Sequence, residues 1–143
     1  MKQTTFLFLG LLAVASAGCG KAQLPFNENV KGVVKLDGEP VTDVRIMFVP
    51  LSDIEHDAPN SNAQTDNKGQ FQLVCDNKKP GAVVCKHRVI VMRGRTANTS
   101  GDRRAVPTES SIPSVYGSVT NSPLMVDITA DQHDYVLEMK TVQ

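Results

Sequence analysis

Val30-Lys31-Gly32-Val33-Val34-Lys35-Leu36-Asp37-Gly38-Glu39-Pro40 is the stretch that decides the fold class. Val30, Val34 and Leu36 share one parity, and Lys31 and Lys35 take the other. That is the period of a half-buried β-strand, not of a helix. Asp37-Gly38 supplies the positive φ of a tight turn, and Pro40 cannot donate to a ladder, so the strand ends here. The same pattern recurs along the chain. Val44 to Val49 places Val44, Ile46 and Phe48 inward and stops at Pro50. A short strand around Ala63-Gln64-Thr65 runs through Asp66-Asn67-Lys68-Gly69, a four-residue hairpin connection, into Gln70–Cys75. Phe71, Leu73 and Cys75 share a face there. Lys86 to Met92 is the most β-prone run, and residues 124–128 and 135–139 are two more alternating segments.

Seven short strands with turns every ~8–12 residues predict an all-β fold, a seven-stranded antiparallel β-sandwich. Its expected core is Val34, Leu36, Ile46, Phe48, Phe71, Leu73, Val89, Val91, Val126, Ile128, Leu137 and Met139. No amphipathic helical pattern of useful length follows residue 20. The chain has 143 residues, enough for one domain and a leader. Its 15 Lys and Arg balance 15 Asp and Glu, so the basic excess that a nucleic-acid binder needs is missing. A hydrophobic fraction of 41% argues against disorder.

Upstream of the strands the pattern changes. Lys2 is followed by an apolar run from Phe6 to Ala15 and then by Ser16-Ala17-Gly18-Cys19. Charge, apolar stretch, then small residues is the order of a secretory signal peptide, and the run is short of the ~20 apolar residues of a membrane span. Two processing routes fit the end of this leader. The residues before Cys19 resemble a bacterial lipobox, which implies lipidation of Cys19 as the new N-terminus, although Ser16 stands where that pattern prefers an aliphatic residue. Ordinary cleavage after Ala15-Ser16-Ala17 is the other route. Lipidation also accounts for the cysteine left over when three are present in an exported chain. The expected organisation is a signal peptide over 1–18, a lipid-anchored tether over 19–29 and a β domain over 30–143.

The strand motifs carry a family resemblance. Val30 to Val41 followed by Arg45-Ile46-Met47-Phe48-Val49-Pro50 resembles the opening of carboxypeptidase regulatory-like domains. Thr65-Asp66-Asn67-Lys68-Gly69-Gln70-Phe71 is similar to their Thr-Asp-x-x-Gly-x-Phe hairpin. Pro80-Gly81 leading into Lys86–Val91, and Ile112-Pro113, Tyr116 and Ser122-Pro123-Leu124 with Val126, resemble later parts of the small exported bacterial versions. Val83-Val84-Cys85 is an insertion relative to many relatives. The resemblance implies a transthyretin-like (prealbumin-like) Greek-key sandwich that acts as an accessory or adhesive module and carries no catalytic residues. The implied setting is the cell envelope, with the membrane as one partner through the lipid and an envelope protein as the other. Gly20 after the cysteine fits the outer membrane better than inner-membrane retention by the same analogy. No cofactor is expected.

Chemistry-bearing residues are few. Cys75 and Cys85 flank the Pro80-Gly81 turn and read as a disulfide pinning a hairpin in an oxidising compartment; reduced, packed cysteines are the alternative. His56, His87 and His133 lack the spacing of a metal site. Asp66-Asn67 falls short of a calcium loop. No Gly-x-Ser-x-Gly elbow occurs, so catalytic residues are not expected. The polar stretch 94–122 is the one long irregular segment, and such segments are functional or disordered. Arg93, Arg95, Arg103 and Arg104 gather at it and suit phosphates or an acidic partner; a solvated loop is the plainer account. Tyr116 is the aromatic expected to be free to stack on a sugar, which would make the module a small-ligand or glycan binder instead.

Overall fold

The computed structural model describes residues 24–51, 58–93 and 112–141. Among them the chain forms only extended segments and one 3-10 turn, Ser114–Gly117. The fold is all-β, as the alternation requires.

One sheet is antiparallel throughout. It is built on β4 (Val44–Pro50) paired with β9 (Lys86–Arg93), Val44 standing opposite Arg93 and Pro50 opposite His87. β10 (Met125–Asp127) flanks β9, while β5 (Ser61–Gln64) and then β7 (Val74–Cys75) extend the sheet beyond β4. The second sheet is built on β2 (Lys31–Leu36). One edge of β2 is shared between β6 (Gln70–Gln72), beside Lys31–Val33, and β3 (Glu39–Pro40), beside Lys35 and Leu36. Its other edge pairs with β11 (Asp134–Met139) in parallel, from Asp134 opposite Lys31 to Met139 opposite Leu36. A small ribbon of β1 (Phe26–Asn27) and β8 (Ala82–Val83) stands apart from both sheets.

Three expectations are corrected here. The fold is not wholly antiparallel, because β11 enters beside β2 in the same direction. The segments also do not resolve into seven uniform strands: the expected 70–75 strand breaks at Leu73 into β6, on the second sheet, and β7, on the first. The packed body begins before Val30, since β1 takes residues 26–27 out of the expected tether and into a strand pair.

Alternation does place the core. Val34 and Leu36 of β2, Phe71 of β6 and Leu137 and Met139 of β11 are buried from one sheet; Ile46, Phe48, Val89 and Val91 are buried from the other, and all join one cluster. Leu73 and Ile128 belong to it as well, and Val126 packs against it half-buried. Phe48 and Phe71 meet across the sheets with ring centroids 6.1 Å apart and tilted by 45°, a geometry that adds to their area burial.

The turns follow from backbone sterics. Asp37 and Gly38 both take positive φ, 52° and 91°, the requirement of the tight β2–β3 hairpin. In the β5–β6 connection the Asp66 carboxylate accepts the N–H of Lys68 and of Gln70, each at 2.8 Å. Those bonds hold its carboxyl below the ordinary value. Gly32, in the middle of β2, is fixed by crowding: a Cβ there would lie 2.0 Å from the Tyr135 carbonyl oxygen and 2.8 Å from the Phe71 ring.

Truncating Phe48 to Ala should therefore cost about 3–5 kcal/mol in urea unfolding. Gly32→Ala, a change of one methyl group, should cost about 2 kcal/mol or more, because a backbone carbonyl cannot step aside. Val136→Thr, on the exposed side of β11, should stay within about 0.5 kcal/mol of the parent.

Candidate functional site

β9 alternates inward at His87, Val89 and Val91, so the histidine is carried into the core and is wholly buried. Its ring packs against Phe48 with centroids 5.8 Å apart. Nδ1 lies 2.9 Å from the Cys85 carbonyl oxygen. A carbonyl only accepts, so the neutral ring carries its proton on Nδ1. Burial pushes the His87 pKa down, opposed in part by the Cys85 carbonyl and by Asp127.

The Cys85 thiol sits beside this ring with Sγ 3.8 Å from each nitrogen, a side-on approach that directs neither nitrogen at the sulfur. Burial pushes the thiol pKa up, the Leu51 N–H pulls it back in part, and the Asp127 charge raises it further. A nucleophilic cysteine needs a lowered pKa and an aligned base. This pair has neither, and its chemistry is that of a packed thiol and a neutral imidazole.

The expected disulfide is corrected. Cys75 and Cys85 are both free, the first buried and the second half-buried. The strands that flank the Pro80-Gly81 turn do not pair with each other: β7 lies against β5, β9 lies against β4, and two strands stand between them. Three inter-strand steps separate the two by ~14 Å, against the ~7 Å limit for a bridge. The chain between them leaves the sheet to form β8, which a hairpin reading does not anticipate.

Tyr116 is the second correction. The 3-10 turn Ser114–Gly117 folds it into the core at 7% exposure, so its face is not offered to a sugar. Its hydroxyl accepts the Lys140 N–H at 2.9 Å and donates to the Lys140 carbonyl at 3.2 Å. The polar stretch continues to pack after it: the Ser122 hydroxyl donates to the Val89 carbonyl at 2.6 Å, and Leu124 accepts the Val89 N–H. Arg93 is the last residue of β9. Arg95, Arg103 and Arg104, like Cys19 and His56, lie outside the described residues.

The polar site with the most connections had no periodic signal at all. Asn27, in β1, is 3% exposed. Its Nδ2 donates to the Thr129 and Gln132 carbonyls, both at 2.8 Å. Its Oδ1 accepts the Asn29 N–H at 3.0 Å and lies 3.2 Å from His133 Nδ1. Gly81 backs against the same residue so closely that a Cβ would fall 1.9 Å from the Asn27 carbonyl oxygen. The Val84 N–H donates to the Pro25 carbonyl at 2.8 Å and extends the ribbon by one bond. One amide thereby fastens the start of the body to the 129–133 turn. Among the described residues no three His, Cys, Asp or Glu side chains gather closely enough to hold a metal ion.

Comparison of the chain with family models, with curated proteins and with solved structures finds no match.

Two outcomes test the site. With its folded pKa depressed, His87 contributes stability that is complete above the unfolded value of ~6.5 and is lost as pH falls through the folded pKa. Urea midpoints should therefore decline from about pH 6.5 downward, before the carboxylates titrate, and His87→Leu should flatten that decline. Tyr116→Phe keeps the ring and removes both Lys140 bonds, so it should cost about 1–2 kcal/mol in the same assay.

Proposed function

We propose that this chain is a non-enzymatic module held at a cell envelope by an N-terminal lipid, where it serves a structural or protein-contact role. The observation that carries the reading is Ala17-Gly18-Cys19 at the end of an apolar leader, a few residues ahead of the first strand at Phe26. The body would be a two-layer sandwich of the transthyretin-like kind, with β9 and β4 central to one layer and β2 to the other. Phe48 against Phe71 across the sheets supports that layering.

The use of polar groups in the body agrees with a contact module. Asn27 fastens β1, Tyr116 ties the end of β11, Ser122 anchors a loop to β9, and His87 is turned onto its own backbone. Each group is satisfied within the fold. The surface left for a partner is then built, among the described residues, from strand faces and hairpin ends.

Mass spectrometry of the protein isolated from membranes should find acyl chains on Cys19 at the N-terminus. Cys19→Ala should move the protein to the soluble exported fraction. A mature chain that begins at Gly18 without lipid would overturn the reading.

A further inference from the structure

The two ends of the body are not equivalent. At one end lie β1, the β7–β8 turn with Lys78 and Lys79, the start of β9 and the 129–133 turn. They are joined by the Asn27 bonds and by the bond from Val84 to Pro25. At the other end lie Asp37-Gly38, the Asp66–Gly69 connection and Arg93. The register establishes this, because Val44 stands opposite Arg93 and the Thr65 N–H donates to the Val44 carbonyl. Lys86 and Arg93 are seven residue steps apart on one strand, which is ~23 Å at the β-strand rise.

We propose that the β1 end faces the phospholipid headgroups and that the hairpin end, with Arg93, faces away from the bilayer. The inference rests on the lipid-anchor reading above and adds the orientation of the body. The argument is one of reach. Pro25 is fixed to Val84 at the β1 end, and six residue steps separate it from Cys19. Fully extended, those steps span ~20 Å. To lay the hairpin end on the membrane, the β1 end would have to stand more than ~23 Å above it, beyond the tether's limit. Had β1 been free, four or five further residues, up to Val30, would have lengthened the tether enough to permit either orientation. The Asn27 bonds convert a lipid attachment into a directed one.

Energy transfer from the body to the vesicle surface tests this. The full-length lipidated protein is placed in phosphatidylcholine vesicles containing a rhodamine-headgroup lipid. The donor dye is attached at Asp131→Cys or at Lys68→Cys, each in a Cys85→Ser background; Cys75 is buried. Transfer from position 131 should be about twofold more efficient than from position 68, given the ~23 Å between the ends. Equal or reversed transfer in protein that floats with the vesicles overturns the orientation and leaves the anchor standing. Protein that does not float overturns the anchor and the orientation with it. Asn27→Ala, checked for an unchanged far-ultraviolet spectrum, should narrow the difference; an undiminished difference would show that the clasp does not direct the body.

Discussion

Gly32 carries no side chain, and two other parts of the chain occupy the space this leaves. The Tyr135 carbonyl stands where a Cβ would project, and the Phe71 ring closes over the same spot. The first contact lets β11 lie flush against β2 along its whole length. The second brings Phe71 down onto the inner face, where it meets Phe48 of the opposing sheet. A side chain here would separate the parallel pair and lift the aromatic that meets the other sheet. The Tyr135 side chain continues the chain of dependence: its hydroxyl donates to the Gln132 carbonyl at 3.0 Å and accepts the Thr129 N–H at 3.3 Å. These bonds fix the turn to which Asn27 is fastened. One missing methyl group is thus linked to the position of β1 through an unbroken series of contacts.

Side-chain parity was legible in the residues; strand neighbours were not. Val34, Leu36, Ile46, Phe48, Val89, Val91, Leu137 and Met139 read as inward from alternation alone, and they are buried. Alternation says which face a residue takes, whichever strand lies beside it and in whichever direction. That is why the parallel entry of β11 leaves no mark in the residues, and why the parity of Cys75 and Cys85 does not make their strands neighbours. A Pro-Gly turn and matching parity suggest a hairpin, but the connection between the two cysteines instead pairs Ala82 and Val83 with β1.

Other misses share a physical cause, which is that short elements held by side-chain hydrogen bonds leave no period. β1 is two residues long, and nothing in Phe26-Asn27 distinguishes it from linker. The Tyr116 turn is four residues within a polar stretch. The available clue was the aromatic itself, flanked by Val115 and preceded by Pro113. Large apolar residues in polar surroundings more often anchor a loop than wait for a ligand. Buried polar groups of this kind are costly unless paired, and Asn27 and Tyr116 are fully paired. Ser61 Oγ and Arg88 Nε are the buried side-chain atoms without a partner among the described residues. Both belong to the first sheet, on β5 and β9, so the second sheet is the better satisfied of the two.

That difference bears on how the sheet edges are kept from pairing with other chains. An edge strand offers unpaired N–H and C=O groups, and length makes it a better template. β3, β7 and β10 are two or three residues long, and β3 ends in Pro40, which has no N–H to give. β11, six residues long, is the exception. Its bonds to β2 begin with the Lys31 N–H on the His133 carbonyl and end with the Asp37 N–H on the Met139 carbonyl. Evenly spaced parallel bonding between those limits turns the backbone of Val136 and Glu138 toward the open side. Asp134, just before them, has its carbonyl taken by the Gln132 side chain at 3.1 Å, and Lys140, just after, has both backbone groups taken by Tyr116. Asp134 and Glu138 place charge on either side of Val136, each with a lysine near it, Lys31 at 3.7 Å and Lys140 at 2.9 Å. Exposed pairs of this kind contribute little stability. Their effect is on the edge, because a strand added here would have to desolvate two charged groups to reach the two residues still open. The longest edge among the described strands is therefore closed at both ends by hydrogen bonds and guarded in the middle by charge.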